Sequence, residues 1–181
     1  PPTSGRGILE LFYKGGPVSV IYNVTSTVAQ SICGMPTFDS CKWNGQIIQG
    51  TGKKDGEPML KFLDGQNKTF YIGQNNQIKV FDSTLTSTSN PNQNGNYKLI
   101  LVKYSEKGEV ESVNEAGITS ANYNWGATGA VTLDTSFEKF ASGDYYLYVF
   151  NVHTGIWGGV SAYTYLVGQT TTAPGITVTP N

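Results

Sequence analysis

The sequence predicts an all-β protein: an antiparallel two-sheet β-sandwich with a hairpin-rich N-terminal portion packed against it. Three observations lead there. Apolar and polar residues alternate with a period of two along most of the chain. Gly, Asn, Asp and Pro separate the alternating runs. The runs recur every 8–15 residues with no helical crossover between them, as in a sandwich or barrel.

Taken in order, "ILELFY" (8–13) and "VSVIYNV" (18–24) flank Lys14-Gly15-Gly16-Pro17 and read as a hairpin. "TSTVAQSICG" (25–34) opens on Thr and Ser and stops at Gly. Its β-branched residues limit it to one or two helical turns. "MLKFL" (59–63) and "KTFYI" (68–72) flank Asp64-Gly65-Gln66-Asn67 and read as a second hairpin. "QIKVFDS" (77–83) precedes a polar loop at 86–96. "YKLILVKYS" (97–105) turns at Glu106-Lys107-Gly108 into "EVESV" (109–113). "SANYNW" (120–125), "AVTLDTSF" (130–137), "DYYLYVFNV" (144–152) and "SAYTYLV" (161–167) complete the set. A faint echo links 12–27 with 70–84, through either a repeated unit or a shared turn chemistry. The expected organisation is an N-terminal hairpin region with a cysteine loop (1–70), a sandwich (71–168) and a Thr/Pro-rich linker or stalk (169–181).

Composition narrows the function. Charged residues make up 14% of the chain, against roughly 25% in an average soluble domain. Ser, Thr, Asn, Gln and Gly take their place, a surface commonest in secreted and surface-displayed β proteins. The net charge is −1 and the lysines are scattered. Without a clustered basic footprint, no nucleic-acid partner is expected. No apolar run approaches the ~20 residues of a membrane span, so direct membrane insertion is not expected. The chain opens at Pro1 without a signal-peptide pattern, which leaves secretion open.

Cys33 and Cys41 enclose seven residues that include Gly34 and Pro36. Such a loop can close into a disulfide, which would place the protein in an oxidising compartment; two free buried thiols are the alternative. The spacing is not that of a CxxC redox pair. A zinc site would need more ligands than the two cysteines and a distant His153 supply, so no metal is expected. Asn23 and Asn67 head glycosylation sequons.

Residues 71–168 resemble an immunoglobulin-like or fibronectin-type-III-like module. "FEKFASGDYYLYVFN" resembles the corner that leads into strand F, and "VSAYTYLV" resembles the closing strand G. Among such modules, the order is similar to the sandwich of fungal cell-wall-assembly proteins with Ser/Thr-rich, GPI-anchored tails. The matching features are Gly73 ahead of Ile78 and Val80, the strand "YKLILVKYS", Tyr123-Asn124-Trp125, and Ser142-Gly143-Asp144-Tyr145. Phe81 stands where that family ends its first strand in Trp, and residues 1–70 have no counterpart. The resemblance implies a non-catalytic extracellular module and transfers no functional residue.

No catalytic constellation is evident. His153 is the only histidine, and no GxSxG elbow accompanies it. A triad would have to recruit Asp134 or Asp144. The acids are scattered through turns, and no phosphate loop, dinucleotide fingerprint or calcium loop occurs. No cofactor is expected. The aromatics point to binding. Trp125 alternates within a strand and reads as core. Trp43, in "CKWNGQ", and Trp157, in "HTGIWGGV", sit among glycine and amide residues. They either fold back as plugs or meet a partner. With Asn44 and His153 they form the expected ligand-contact set.

The expected function is a non-enzymatic, surface-displayed adhesion or recognition module that binds a glycan or a cell-surface protein. The alternatives are a self-associating structural module in cell-wall or filament assembly, a secreted glycan-active hydrolase, and a viral or phage fibre tip.

Overall fold

A strand that is apolar at consecutive positions has to be covered on both faces. "YKLILVKY" at 97–104 is such a strand, and the architecture follows from it. The computed structural model describes residues 5–52, 59–85, 97–124 and 130–168.

Three sheets stack as three layers. The N-terminal sheet has the order β2-β1-β3-β4, formed by β1 (Arg6–Phe12), β2 (Ser19–Thr25), β3 (Ser40–Trp43) and β4 (Gln46–Ile48). Helix α1 (Ser26–Cys33) follows β2 and packs on β1, β2 and β3. The second sheet has the order β10-β11-β7-β5, with β5 (Leu60–Phe62), β7 (Asn76–Asp82), β10 (Ser120–Asn124) and β11 (Ala130–Thr135). The middle sheet has the order β6-β14-β12-β8-β9. Its strands are β6 (Lys68–Tyr71), β8 (Tyr97–Tyr104), β9 (Val110–Ala116), β12 (Gly143–Asn151) and β14 (Ala162–Val167), and the short β13 (Ile156–Trp157) pairs with β12.

The middle sheet therefore serves two cores. Leu99, Leu101, Leu147 and Val149 face the second sheet and pack on Ile78, Val80, Val131 and Leu133. The alternate residues Val102 and Tyr148 point the other way, onto Leu9, Leu11, Phe38 and Trp43 of the N-terminal layer. The second and middle sheets form the expected sandwich, with the strand order of an immunoglobulin-like fold. Tyr145, at the start of β12, donates its hydroxyl to the carbonyl of Ala141 at 2.8 Å, the tyrosine corner of that fold. Leu147, two residues on, stands where antibody domains carry a cysteine. This sandwich therefore holds its sheets together by apolar packing and a polar clasp. In the clasp, the buried Asp82 carboxylate accepts from Tyr97 Oη at 2.6 Å, Asn151 Nδ2 at 2.7 Å and the Thr84 amide at 2.9 Å. Tyr97 and Asn151 belong to the middle sheet and Asp82 to the second. Burial, reinforced by the bond to Asp82, pushes the Tyr97 phenol above its ordinary value.

The first predicted hairpin forms, with β1 antiparallel to β2. The short helix forms too, capped by Thr25, whose Oγ1 accepts from the Val28 amide at 3.3 Å. Cys33 and Cys41 are bonded, with their Cα atoms 5.9 Å apart, and tie the last residue of α1 to β3. Both sequon asparagines are exposed at positive φ: Asn23 (65°) at a bulge in β2, and Asn67 (58°) before β6.

The second predicted hairpin does not form. Asp64-Gly65-Gln66-Asn67 carries the chain from one sheet to the other, so β5 pairs with β7 and β6 runs parallel to β14. The competing partners are long strands inside the sandwich, which bury more apolar surface than a hairpin would. The turn residues serve the crossover: Asp64 Oδ1 accepts from the Lys79 amide at 2.8 Å, and the Asn67 amide donates to Tyr163 O at 2.7 Å. The division at residue 70 shifts accordingly, since β5 and β6 belong to the sandwich and the N-terminal layer ends with β4. The echo between 12–27 and 70–84 is only turn chemistry, because β1 and β2 pair whereas β6 and β7 lie in different sheets. Trp125 and the tail 169–181 lie outside the described residues.

Asp82→Ala should destabilise the protein by about 3 kcal/mol in urea unfolding, since it strands the buried donors Tyr97 and Asn151 of the middle sheet. Tyr97→Phe should cost about 1 kcal/mol. Unreduced protein should weigh two hydrogens less than its reduced form, and reduction should cost about 2–3 kcal/mol for a ring this short.

Candidate functional site

The two loop tryptophans are core residues. Trp43 is 0% exposed, and its Nε1 donates to the Val24 carbonyl at 2.9 Å. It lies on β3 because "WNGQ" is a hairpin turn: Asn44 and Gly45 take φ of 51° and 79°, and β3 pairs with β4 across them. The Asn-Gly pair was the available signal for these two strands. Asn44 is exposed, yet its amide serves the fold, with Oδ1 accepting from the Ile8 amide at 2.9 Å.

Trp157 is 2% exposed and stacks on Phe150 with ring centroids 4.5 Å apart. Both tryptophans enter the core between the N-terminal and middle sheets. Of the two readings, plug or partner contact, the rings take the first, which corrects their place as open rings in the ligand-contact set: a polar turn carries each ring into the apolar core, and Trp157 only borders a cleft there. His153 is exposed in the β12–β13 turn, which Asn151 Oδ1 shapes by accepting from the His153 and Thr154 amides at 2.8 and 3.0 Å. Asp144, a proposed triad partner, lies at the opposite end of β12. Among the described residues no cluster of His, Cys, Asp and Glu is placed to hold a metal, and no helix is long and apolar enough to cross a membrane.

The aromatic surface that does reach solvent lies elsewhere. The N-terminal layer covers only part of the middle sheet. Its core takes residues from β8, β9, β12 and β13 and none from β14 or β6. Along β12 and β14, Tyr145, Leu147, Ala162 and Leu166 point into the sandwich. Alternation then turns Asp144, Tyr146, Tyr163 and Tyr165 to the uncovered face. Tyr146 and Tyr163 are direct cross-strand partners, as are Asp144 and Tyr165.

The rings form a continuous row. Tyr104 and Tyr146 have centroids 5.3 Å apart at 85°, Tyr146 and Tyr163 are 5.0 Å apart at 49°, and Tyr163 and Tyr165 are 5.2 Å apart at 77°. At the covered end Tyr104 meets Tyr13, which packs on Phe38. Tyr71 and Val167, paired on β6 and β14, extend the exposed end. Tyr163 Oη donates to Asp144 Oδ2 at 2.9 Å, and that bond raises the Tyr163 phenol above its ordinary value. Burial chiefly raises Tyr104. The shelf thus offers neutral phenols, aromatic surface and one exposed carboxylate. It can stack on C–H surfaces and exchange hydrogen bonds with hydroxyls.

Sequence reading placed these tyrosines in strands without separating them from the core. The available signal was Tyr, rather than Leu or Val, repeated at alternate positions of two consecutive strands.

No family model matches the chain, and no curated protein matches it. Among solved structures the chain is similar to the Lin-41 filamin domain, at 17% identity and a TM-score of 0.35, over 60% of this chain and 91% of that one. The similarity concerns the fold alone. The likeness to fungal cell-wall-assembly modules has no counterpart in these comparisons.

Trp43→Ala should destabilise the protein by about 3–5 kcal/mol, as a truncation in a packed core does. A thermal transition unchanged from the parent would show that the ring is not buried in solution.

Proposed function

We propose that this protein is a non-catalytic, extracellular recognition module that binds a glycan on the tyrosine shelf of its middle sheet. The observation that carries this reading is the row Tyr146, Tyr163 and Tyr165 beside Asp144, on a stretch of sheet that no other layer covers among the described residues. Aromatic rings pack against the C–H faces of sugars, while phenols and a carboxylate bond their hydroxyls. Tyrosine also orders few rotors on binding, so the entropic cost of contact is small. The Cys33–Cys41 disulfide is compatible with an oxidising, extracellular setting. The amide- and hydroxyl-rich composition supports surface display.

A glycan array should return a binding family for the parent protein. Tyr163→Ala and Tyr146→Ala should each weaken the best ligand by at least about tenfold, a hot-spot effect, with little change in the thermal transition. Binding should stay level between roughly pH 5 and 8, because His153, the one histidine in the sequence, lies away from the shelf. An empty array, or tyrosine variants that bind like the parent, would remove this reading.

A second reading, self-association, is favoured by the outer face of the N-terminal sheet. Ile47 (72% exposed) and Tyr22 (70% exposed) stand there with Ile8 and Val20. Beside them are the cross-strand pair Glu10 and Lys42, with Phe12 beneath the Lys42 ammonium at 5.7 Å. Sedimentation at rising concentration should then show dimers that Ile47→Lys abolishes, whereas a monomer throughout would exclude this reading.

A further inference from the structure

A second site lies on the same face of the middle sheet as the tyrosine shelf, at the opposite margin of the N-terminal layer. A cleft of about 530 Å³ opens between α1 and strands β8 and β9. Val28 and Ile32 of α1 form one wall and Ile100 and Val113 the other, with Phe150 and Trp157 also lining it. The ion pair between Lys98 Nζ and Glu115 Oε1, at 3.2 Å, stands on its rim. The volume falls within the range of small-molecule sites, and apolar walls with few polar groups are their usual lining.

The indole of Trp157 adds a specific feature. Trp157 is almost wholly buried, yet its Nε1–H meets no acceptor among the described residues. The contrast with Trp43 is direct, since that indole N–H has the Val24 carbonyl at 2.9 Å. Buried donors are ordinarily paired, so an unpaired one in the wall of an open cleft marks a place for an incoming acceptor. The chain comes close here without supplying one. At Gly34 a Cβ would lie 3.1 Å from Nε1 and would collide with the Thr51 carbonyl, and at Gly52 it would lie 3.2 Å from Cδ1 of the ring. Glycine at both positions lets the backbone pass along the pyrrole edge, and among the described residues no side chain accepts from the N–H.

We infer that this cleft binds a small molecule with an apolar body and one carbonyl oxygen, the oxygen accepting from Trp157 Nε1–H. The walls take the hydrocarbon, and the indole fixes its orientation. The site is independent of the glycan reading, because no shelf residue lines it.

Acetophenone and ethylbenzene are suitable probes, alike in shape and differing in the carbonyl. In ¹⁵N-labelled protein, with the indole signal assigned by Trp157→Phe, acetophenone should move the Trp157 N–H resonance downfield and saturably. Ethylbenzene should bind at least about tenfold more weakly, the factor expected when a buried donor stays unpaired. Ser31→Trp, placed on an exposed cleft-lining position of α1, should abolish the shift while leaving the Trp43 indole signal in place as a report of the fold. The proposal is overturned if neither probe gives a saturable shift, or if both bind equally, which would make the cleft an apolar void. It is also overturned if the Trp157 signal changes with protein concentration alone and Ser31→Trp stops that change, because a second copy of the chain would then be the occupant.

Discussion

Covering both faces of one sheet is the constraint on which the other features of this protein depend. In β8, Leu99 and Leu101 belong to one core and Val102 to the other, and β12 divides Leu147 and Val149 from Tyr148 in the same way. A strand built like this cannot remain at a surface. An immunoglobulin-like sandwich alone would leave Val102, Tyr148 and Trp157 in water. The N-terminal sheet and α1 supply the missing cover, and in turn they obtain a core that a four-stranded sheet and a two-turn helix could not assemble by themselves. The two parts are therefore expected to depend on each other for stability.

Polar groups register the layers. Asp82 draws Tyr97 and Asn151 of the middle sheet onto the second sheet, and Asn151 in turn shapes the turn that carries His153. At another corner, Asn76 Nδ2 donates to the carbonyls of Tyr71, Gln74 and Thr135 at 3.0, 3.0 and 3.2 Å, holding the passage from β6 to β7. Across the second interface, Ser19 Oγ accepts from the Val110 amide at 2.7 Å, Thr37 meets the Tyr148 hydroxyl, and Tyr13 donates to the Gly108 carbonyl. Apolar burial drives the stacking and is indifferent to small slides. These directional bonds select one alignment, because a buried polar group that loses its partner is costly.

The same geometry creates the two candidate sites. The N-terminal layer is narrower than the sheet it covers. Beyond it, toward β14 and β6, the tyrosine row emerges; toward β9, the cleft beneath α1 remains open. Both are margins of one incomplete overlap. Residues of a single strand therefore serve opposite purposes: Tyr148 is sealed under the N-terminal layer, while Tyr146, two positions earlier on the same face, lies at the edge of the cover.

The sequence by itself determined the strand class, most strand positions, the first hairpin, the capped helix and the cysteine pair. Each of these rests on contacts within a few residues: alternation, turn chemistry, an N-cap and a short ring. It also contained the Asn44-Gly45 hairpin signal, which marks β3 and β4. Only the tertiary structure decided the partners of β5 and β6, because Asp64–Asn67 suits a hairpin or a crossover equally and distant strands settle the choice. The fate of the aromatics was decided there as well. Beside glycine and asparagine, Trp43 and Trp157 read either as plugs or as partner contacts, and alternation did not separate Tyr146 and Tyr163 from the core; the layers bury the first pair and leave the second at a margin. Alternation assigns a residue to a face of its sheet. Whether water or another layer meets that face depends on how far the covering sheet extends, and no local pattern encodes that distance.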